Sequence, residues 1–291
     1  MRMHRFRTSN MNTKLPVITQ KQVATLLKPR PHDSHKGQFG TVAIIGGTSG
    51  MIGAPLLAAR AALKMGAGCV HVGLMADHAP VVDALQPELM LHAAQEVLPM
   101  QGMSVLAIGC GMGTAVAAQK MLYTALRLKT PLVLDADALN LIAHHSDLQD
   151  DLLARQAPSI ITPHPGEAAR LLGISTAEVQ AARTQAAQQL AERFHCSVVL
   201  KGADSVCITR AGKMYLNKTG NPGMSAPGMG DVLTGMIASF IAQGLDADQS
   251  LLLAVHLHGA AGDALAEKGV CIGMTASEVT EWARWLLNQW H

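Results

Sequence analysis

Aromatic side chains are scarce in this chain of 291 residues, which holds three Trp, two Tyr and four Phe. Gly and Ala are abundant instead, and nearly half of the residues are hydrophobic, which favours a tightly packed layered fold over disorder. Charge is sparse as well. A net charge of +2, with histidines neutral, offers no basic surplus for a nucleic-acid partner. The five cysteines (Cys69, Cys110, Cys196, Cys207, Cys271) are scattered and odd in number, with no CxxC pair. They argue for a reducing cytosol rather than a disulfide framework, and HExxH and CxxC zinc patterns are missing too. No apolar run approaches the roughly 18 residues of a membrane span. The opening "MRMHRFRTSNMNTK" is basic and polar and has no apolar signal core. Residues 1–14 are therefore expected to be a flexible leader, and 15–291 a single cytoplasmic domain.

What is present is alternation. "TVAIIGG" (41–47), "CVHVGLM" (69–75), "SVLAIG" (104–109), "PLVLDAD" (131–137), "SIITP" (159–163) and "SVVLKG" (197–202) read as buried strands. Helical patterns separate them at 54–66, 114–128 and 176–194. In the last, Ala177, Gln180, Ala181, Thr184 and Ala187 share one side. "SVCIT" and "KMYLN", joined by "RAG", read as an appended hairpin. Beyond residue 230 the pattern is almost wholly helical, at 231–243, 247–267 and 276–289. The expected class is α/β, a three-layer α/β/α fold with a mostly parallel central sheet. Glycine- and aspartate-rich segments follow nearly every strand, so they converge on the carboxyl edge, where open α/β sheets bind ligands.

Each segment has a plain reading and a functional one. "GGTSGMIG" (46–53) is a tight turn or a ligand-contacting loop. It misses the short-chain dehydrogenase spacing, and the Tyr-x-x-x-Lys pair and GxxxxGK[ST] are absent. In "LDADALN" (134–140), Asp135, Asp137 and Asn140 either cap a helix or orient a polar substrate or a magnesium water shell. "TPHPGE" (162–167) fixes His164 between prolines beside Glu167. "LKGADS" (200–205) brings Lys201 out of a buried strand, well placed to neutralise phosphate. His256 and His258 in "HLH" do not share a helix face, which argues against a metal pair. "GNPGMSAPGMGDVLTG" (220–235) sets Gly228 and Gly230 before a helix start that can hold phosphate on its free N–H groups. Asp231 stands there as a helix cap or as the acceptor of a proton from an attacking hydroxyl.

The Gly-x-Gly-Asp at the start of a late helix resembles the ribokinase-like superfamily. "GGTSGMIGA", "IGCGMG", "LDADALN", "TPHPGE", "LKGADS" and "GNPGMSAPGMGDVLTG" together, in order, resemble the ADP/ATP-dependent NAD(P)H-hydrate dehydratases over essentially the whole chain. The resemblance implies repair of the S epimer of hydrated NADH or NADPH at the expense of a nucleotide phosphate. It places Ala54, Gly111 or Gly113, His164 and Asp231 against the hydrated dinucleotide, with Asn140 nearby. Lys201, Gly202, Ala203, Asp204, Ser205 and Gly230 match the adenine-nucleotide positions, with Gly228 beside them. It further implies ADP as the phosphoryl donor, Mg2+ with Glu167 as its candidate contact, a homotetramer, and a separate epimerase. Two departures stand out: Ala226-Pro227-Gly228 replaces part of a Gly-Gly loop and removes one N–H, and Cys110 stands where a proline is common. The rival expectations are a small-molecule alcohol kinase of the same superfamily and a non-catalytic nucleotide sensor.

Overall fold

The computed structural model describes residues 15–290. The expected leader, residues 1–14, lies outside the described residues. Nine strands form one sheet: β1 (Thr41–Gly46), β2 (Cys69–Leu74), β3 (Met90–Ala93), β4 (Val105–Ile108), β5 (Leu132–Leu134), β6 (Ser159–Ile161), β7 (Ser197–Leu200), β8 (Ser205–Ile208) and β9 (Met214–Asn217). Their order is β3-β2-β1-β4-β5-β6-β7-β8-β9; β1 to β7 run parallel, and the β8–β9 hairpin joins antiparallel. Ile18 N–H donates to Leu216 O and Leu216 N–H to Pro16 O, both at 2.9 Å, so residues 16–18 lie along the outer side of β9.

Side chains alternate across the strands and make two cores. Val42 and Ile44 face the layer containing helices Gly53–Lys64, Met229–Ala242, Ala247–Glu267 and Ala276–Gln289. Ala43 and Ile45 face the other layer, with Val116–Leu126, Asp137–His144 and Arg183–Phe194. The three-layer α/β/α expectation therefore describes the molecule. Small residues explain how it closes without rings. A Cβ on Gly235 would sit 1.9 Å from the Ala58 carbonyl oxygen, so helix Met229–Ala242 lies directly against the alanine-rich helix Gly53–Lys64.

Two sequence expectations need correction. The helix foreseen over 176–194 is two helices, Thr176–Ala181 and Arg183–Phe194, broken at Ala182 (φ −140°, ψ 49°). The break lets the Arg183 guanidinium reach the Leu200 carbonyl at 3.2 Å. The buried positions are Val179, Ala186, Ala187, Leu190 and Phe194, so of the side foreseen only Ala187 is buried. Strand β3 was not foreseen; its four residues are half-buried and include His92, so no apolar run marks it.

Chain order reverses direction between β1 and β4. Connections leave to opposite sides there, and a crevice opens beyond the carboxyl ends of these two strands.

Candidate active site

Loops after β1 and β4 meet in that crevice. Gly47 N–H donates to Cys110 O at 3.0 Å, and Thr48 N–H to Gly111 O at 2.8 Å, zipping the two turns together. Ala54 is half-buried beside Gly111 at the start of helix Gly53–Lys64. The Asp137 carboxylate accepts from Gly113 N–H at 2.9 Å and from the Asn140 amide at 3.3 Å. Asn140 in turn accepts from Arg170 at 2.9 Å, so one polar chain links the glycine turn to the helix Pro165–Leu172.

"TPHPGE" is a helix start. His164 caps helix Pro165–Leu172, its Nδ1 accepting from Gly166 N–H at 2.9 Å and Glu167 N–H at 3.4 Å. Glu167 Oε2 returns the favour, accepting from His164 N–H at 2.8 Å. With Nδ1 an acceptor, the imidazole proton belongs on Nε2, 3.3 Å from Glu167 Oε1. Burial and the Lys201 charge push the His164 pKa down, and burial lifts Glu167 to about 7. Half of the His164 side chain stays open to solvent.

Asp231 is not a cap. Gly228 holds the N-cap in the left-handed region (φ 87°), where a side chain is disfavoured and a Cβ would also meet Leu57 at 2.5 Å. The first intrahelical bond runs from Val232 N–H to Gly228 O at 3.0 Å, so the N–H groups of Met229, Gly230 and Asp231 face out of the helix start. Asp231 is two residues in from Met229, the first residue of the helix, and burial raises its pKa to about 6, the Cys110 thiol opposing and Asp135 adding to the rise.

Lys201, just past β7, pairs with buried Asp135: Nζ lies 2.7 Å from Oδ1. Thr234 Oγ1 donates to the other Asp135 oxygen at 3.1 Å. Against the cost of burial, Lys201 holds Asp135 below the usual carboxylate range, and Asp135 and Glu167 hold Lys201 above the usual ammonium value.

A cleft of about 480 Å³ opens on the β8–β9 side of this pair. All of residues 201–205 line it with Gly230, facing Thr219, Asn221 and Met224 on the opposite wall. Gly220 N–H and the Asn221 amide are tied to Asp263 at 2.9 and 3.1 Å, which fixes that wall. Pro227 does not line the cleft, so the N–H it lacks lies outside the donors at the helix start. His258 does line it, uncharged, with burial pushing its pKa down to about 4.

The structure thus places Ala54, Gly111, Gly113, Asn140 and His164 on the crevice side and Lys201 to Ser205 on the cleft side, with Gly230 and Asp231 at the boundary. Sequence reasoning missed Thr162, Thr234, Arg183 and His258. The first three are polar residues within or beside apolar segments and carry no spacing signal. His258 was weighed only as a metal ligand.

A family model described as NAD(P)H-hydrate dehydratase matches residues 42–284. The chain belongs to the NAD(P)H-hydrate dehydratase family. It is 42% identical to the ADP-dependent (S)-NAD(P)H-hydrate dehydratase of Neisseria meningitidis, over 98% of this chain and 97% of that protein. It is 40% identical to the bifunctional NAD(P)H-hydrate repair enzyme of Coxiella burnetii, matching 97% of this chain but only 57% of that longer protein. Among solved structures, the ADP/ATP-dependent NAD(P)H-hydrate dehydratase of Bacillus subtilis, co-crystallised with ATP/Mg2+, superposes with a TM-score of 0.84 at 29% identity, covering 97% of this chain and 100% of that one. A ribokinase-like superfamily protein of Enterococcus faecalis gives the same TM-score at 27% identity, covering 97% and 99%. The fold of this family member is ribokinase-like.

Proposed function

We propose that this family member dehydrates (6S)-hydrated NADH or NADPH to NAD(P)H, with ADP as phosphoryl donor, giving AMP and phosphate. The observation that carries the reading is the position of Asp231: a buried carboxylate with raised proton affinity, at the helix start where the cleft and the crevice meet. ADP lies in the cleft along residues 201–205, its terminal phosphoryl at the N–H groups of 229–231 and at Lys201. The hydrated ring lies in the crevice against Ala54, Gly111, Gly113, Asn140 and His164.

Asp231 takes the proton of the C6 hydroxyl as that oxygen forms a bond to phosphorus and AMP leaves. The ring nitrogen's electron pair then expels phosphate from C6, and loss of a C5 proton restores the dihydronicotinamide. A base whose pKa lies near the working pH suits the first step. The helix-start N–H groups and Lys201 hold the charge that moves onto the phosphoryl oxygens.

Mg2+ prefers hard oxygen donors and usually arrives with nucleotide phosphates rather than in an all-protein cage. Glu167 Oε1 fits that need, with only the His164 ring against it, whereas the Cys110, Asp135 and Asp231 cluster contains a thiol and an aspartate already held by Lys201 and Thr234. Bound with the nucleotide, the ion would neutralise phosphate charge; Glu167 would be its protein contact. A cytoplasmic homotetramer, served by a separate epimerase, completes the reading; no helix among the described residues is long and apolar enough to cross a membrane.

The test is near-ultraviolet absorbance of the dihydronicotinamide, with hydrated NADH, Mg2+, and ADP or ATP in parallel. A nucleotide-dependent rise with phosphate released in step is expected. A flat trace with the S epimer present would refute the reading.

A further inference from the structure

We propose that Cys110 is a positioning residue for the base: its buried S–H donates to the Asp231 carboxylate and holds it toward the substrate hydroxyl. The proposal rests on the dehydratase reading above and adds a residue that the reaction as written does not use.

Cys110 follows β4 at the floor of the crevice and is 1% exposed. Its backbone is fixed, since its carbonyl accepts from Gly47 N–H. Its Sγ lies within 4.8 Å of a carboxylate oxygen of both Asp135 and Asp231, which themselves lie within that distance of each other. Two carboxylates compete for one S–H, and the geometry decides between them. Asp135 already has an ammonium on Oδ1 and a hydroxyl on Oδ2. Asp231 is left to the thiol. Burial and both carboxylates push the Cys110 pKa well above its usual value, so the sulfur keeps its proton wherever the enzyme works.

A weak donor suits this place. An ammonium aimed at Asp231 would hold it as a carboxylate but strip its basicity; an S–H fixes its direction at small cost to proton affinity. The groups facing Asp231 come from three strand ends: Cys110 after β4, Asp135 and Asp137 after β5, and Lys201 after β7. Glu167 stands behind them, facing Lys201 and Asp135.

The experiment is the pH dependence of kcat/KM for wild type, Cys110→Ala and Cys110→Ser. Removing the S–H takes a hydrogen bond from the charged form of Asp231, so the acid limb of Cys110→Ala should move up by about half to one pH unit. Cys110→Ser keeps a stronger donor, and its limb should stay at or below the wild-type position. Equal losses of kcat in both variants with an unmoved limb would mean mere packing and overturn the proposal. If Cys110→Ala fails to fold, the infrared S–H stretch of the wild-type protein decides. A red-shifted band that relaxes in Asp231→Asn supports the bond; a band indifferent to that change overturns it. Absence of nucleotide-dependent turnover in wild type would instead sink the dehydratase reading, and the thiol's role with it.

Discussion

Lys201 Nζ and Asp135 Oδ1 lie 2.7 Å apart, joining the end of β7 to the end of β5 across the intervening β6. The aspartate is 2% exposed and the lysine side chain 20%, so the pair has low access to water but the lysine keeps one face toward the nucleotide cleft. Lys201→Met would leave a buried carboxylate unpaired and should cost about 3–5 kcal/mol of stability. The double variant Lys201→Met, Asp135→Asn should recover most of that in urea denaturation, yet remain inactive. Recovery of activity along with stability would show that the lysine serves the fold alone.

Asp231→Asn keeps the shape of the helix start and removes the base. Turnover should fall by about 10²–10⁴-fold, while nucleotide affinity, read by calorimetry, should hold within a few-fold. Near-normal turnover would disqualify Asp231 as the base.

With its pKa at about 6, Asp231 must lose its proton before it can accept another. Activity, kcat/KM, should therefore rise through pH 6 and level off above it. A limb near pH 4, the range of an ordinary aspartate, would mean that burial does not tune this group.

Glu167 gives a stability prediction with the opposite sense to a salt-bridged carboxylate. Its folded-state pKa of about 7 lies above the model value of 4.5. The folded protein therefore binds the extra proton more tightly, a contribution fully present below pH 4.5 and lost as pH rises through 7. Other groups also titrate in this window, so the difference between proteins is the clean readout. Glu167→Gln, relative to wild type, should gain on the order of 3 kcal/mol between pH 4.5 and 8. A pH-independent difference would contradict the assignment.

Gly235→Ala adds one methyl where the Ala58 carbonyl oxygen lies 1.9 Å from the new Cβ. That oxygen is backbone and cannot rotate away. The helices must part, at a cost of about 1–3 kcal/mol or more, seen as a lower thermal midpoint.

Element type was readable wherever patterns were long. Helices 247–267 and 276–289 stand where periodicity put them, since a buried face repeated over several turns leaves little freedom. Boundaries set by a distant partner were not readable. Ala182 breaks its helix although neither Gly nor Pro marks the spot, because Arg183 has carbonyl groups to reach that lie far along the chain. The candidate site followed the same rule. Glycine-rich loops and their acidic residues announced the strand ends where Lys201, His164 and Asp231 stand. The particular pairings were hidden: Lys201 looked like a free phosphate partner and is shared with Asp135. Cys110 looked like a minor replacement and lies against the base. Which oxygen receives which proton depends on three-dimensional crowding that spacing does not record.

Residues 16–18, lying along the outer side of β9, act as a stopper. Their bonds to Leu216 occupy N–H and C=O groups that would otherwise stand open on the hairpin that adjoins the cleft. An unpaired strand edge is a template onto which other chains can add. Trimming the chain past Ile18 would convert this wall of the cleft into an adhesive surface, and self-association would be the first symptom, ahead of any failure of chemistry.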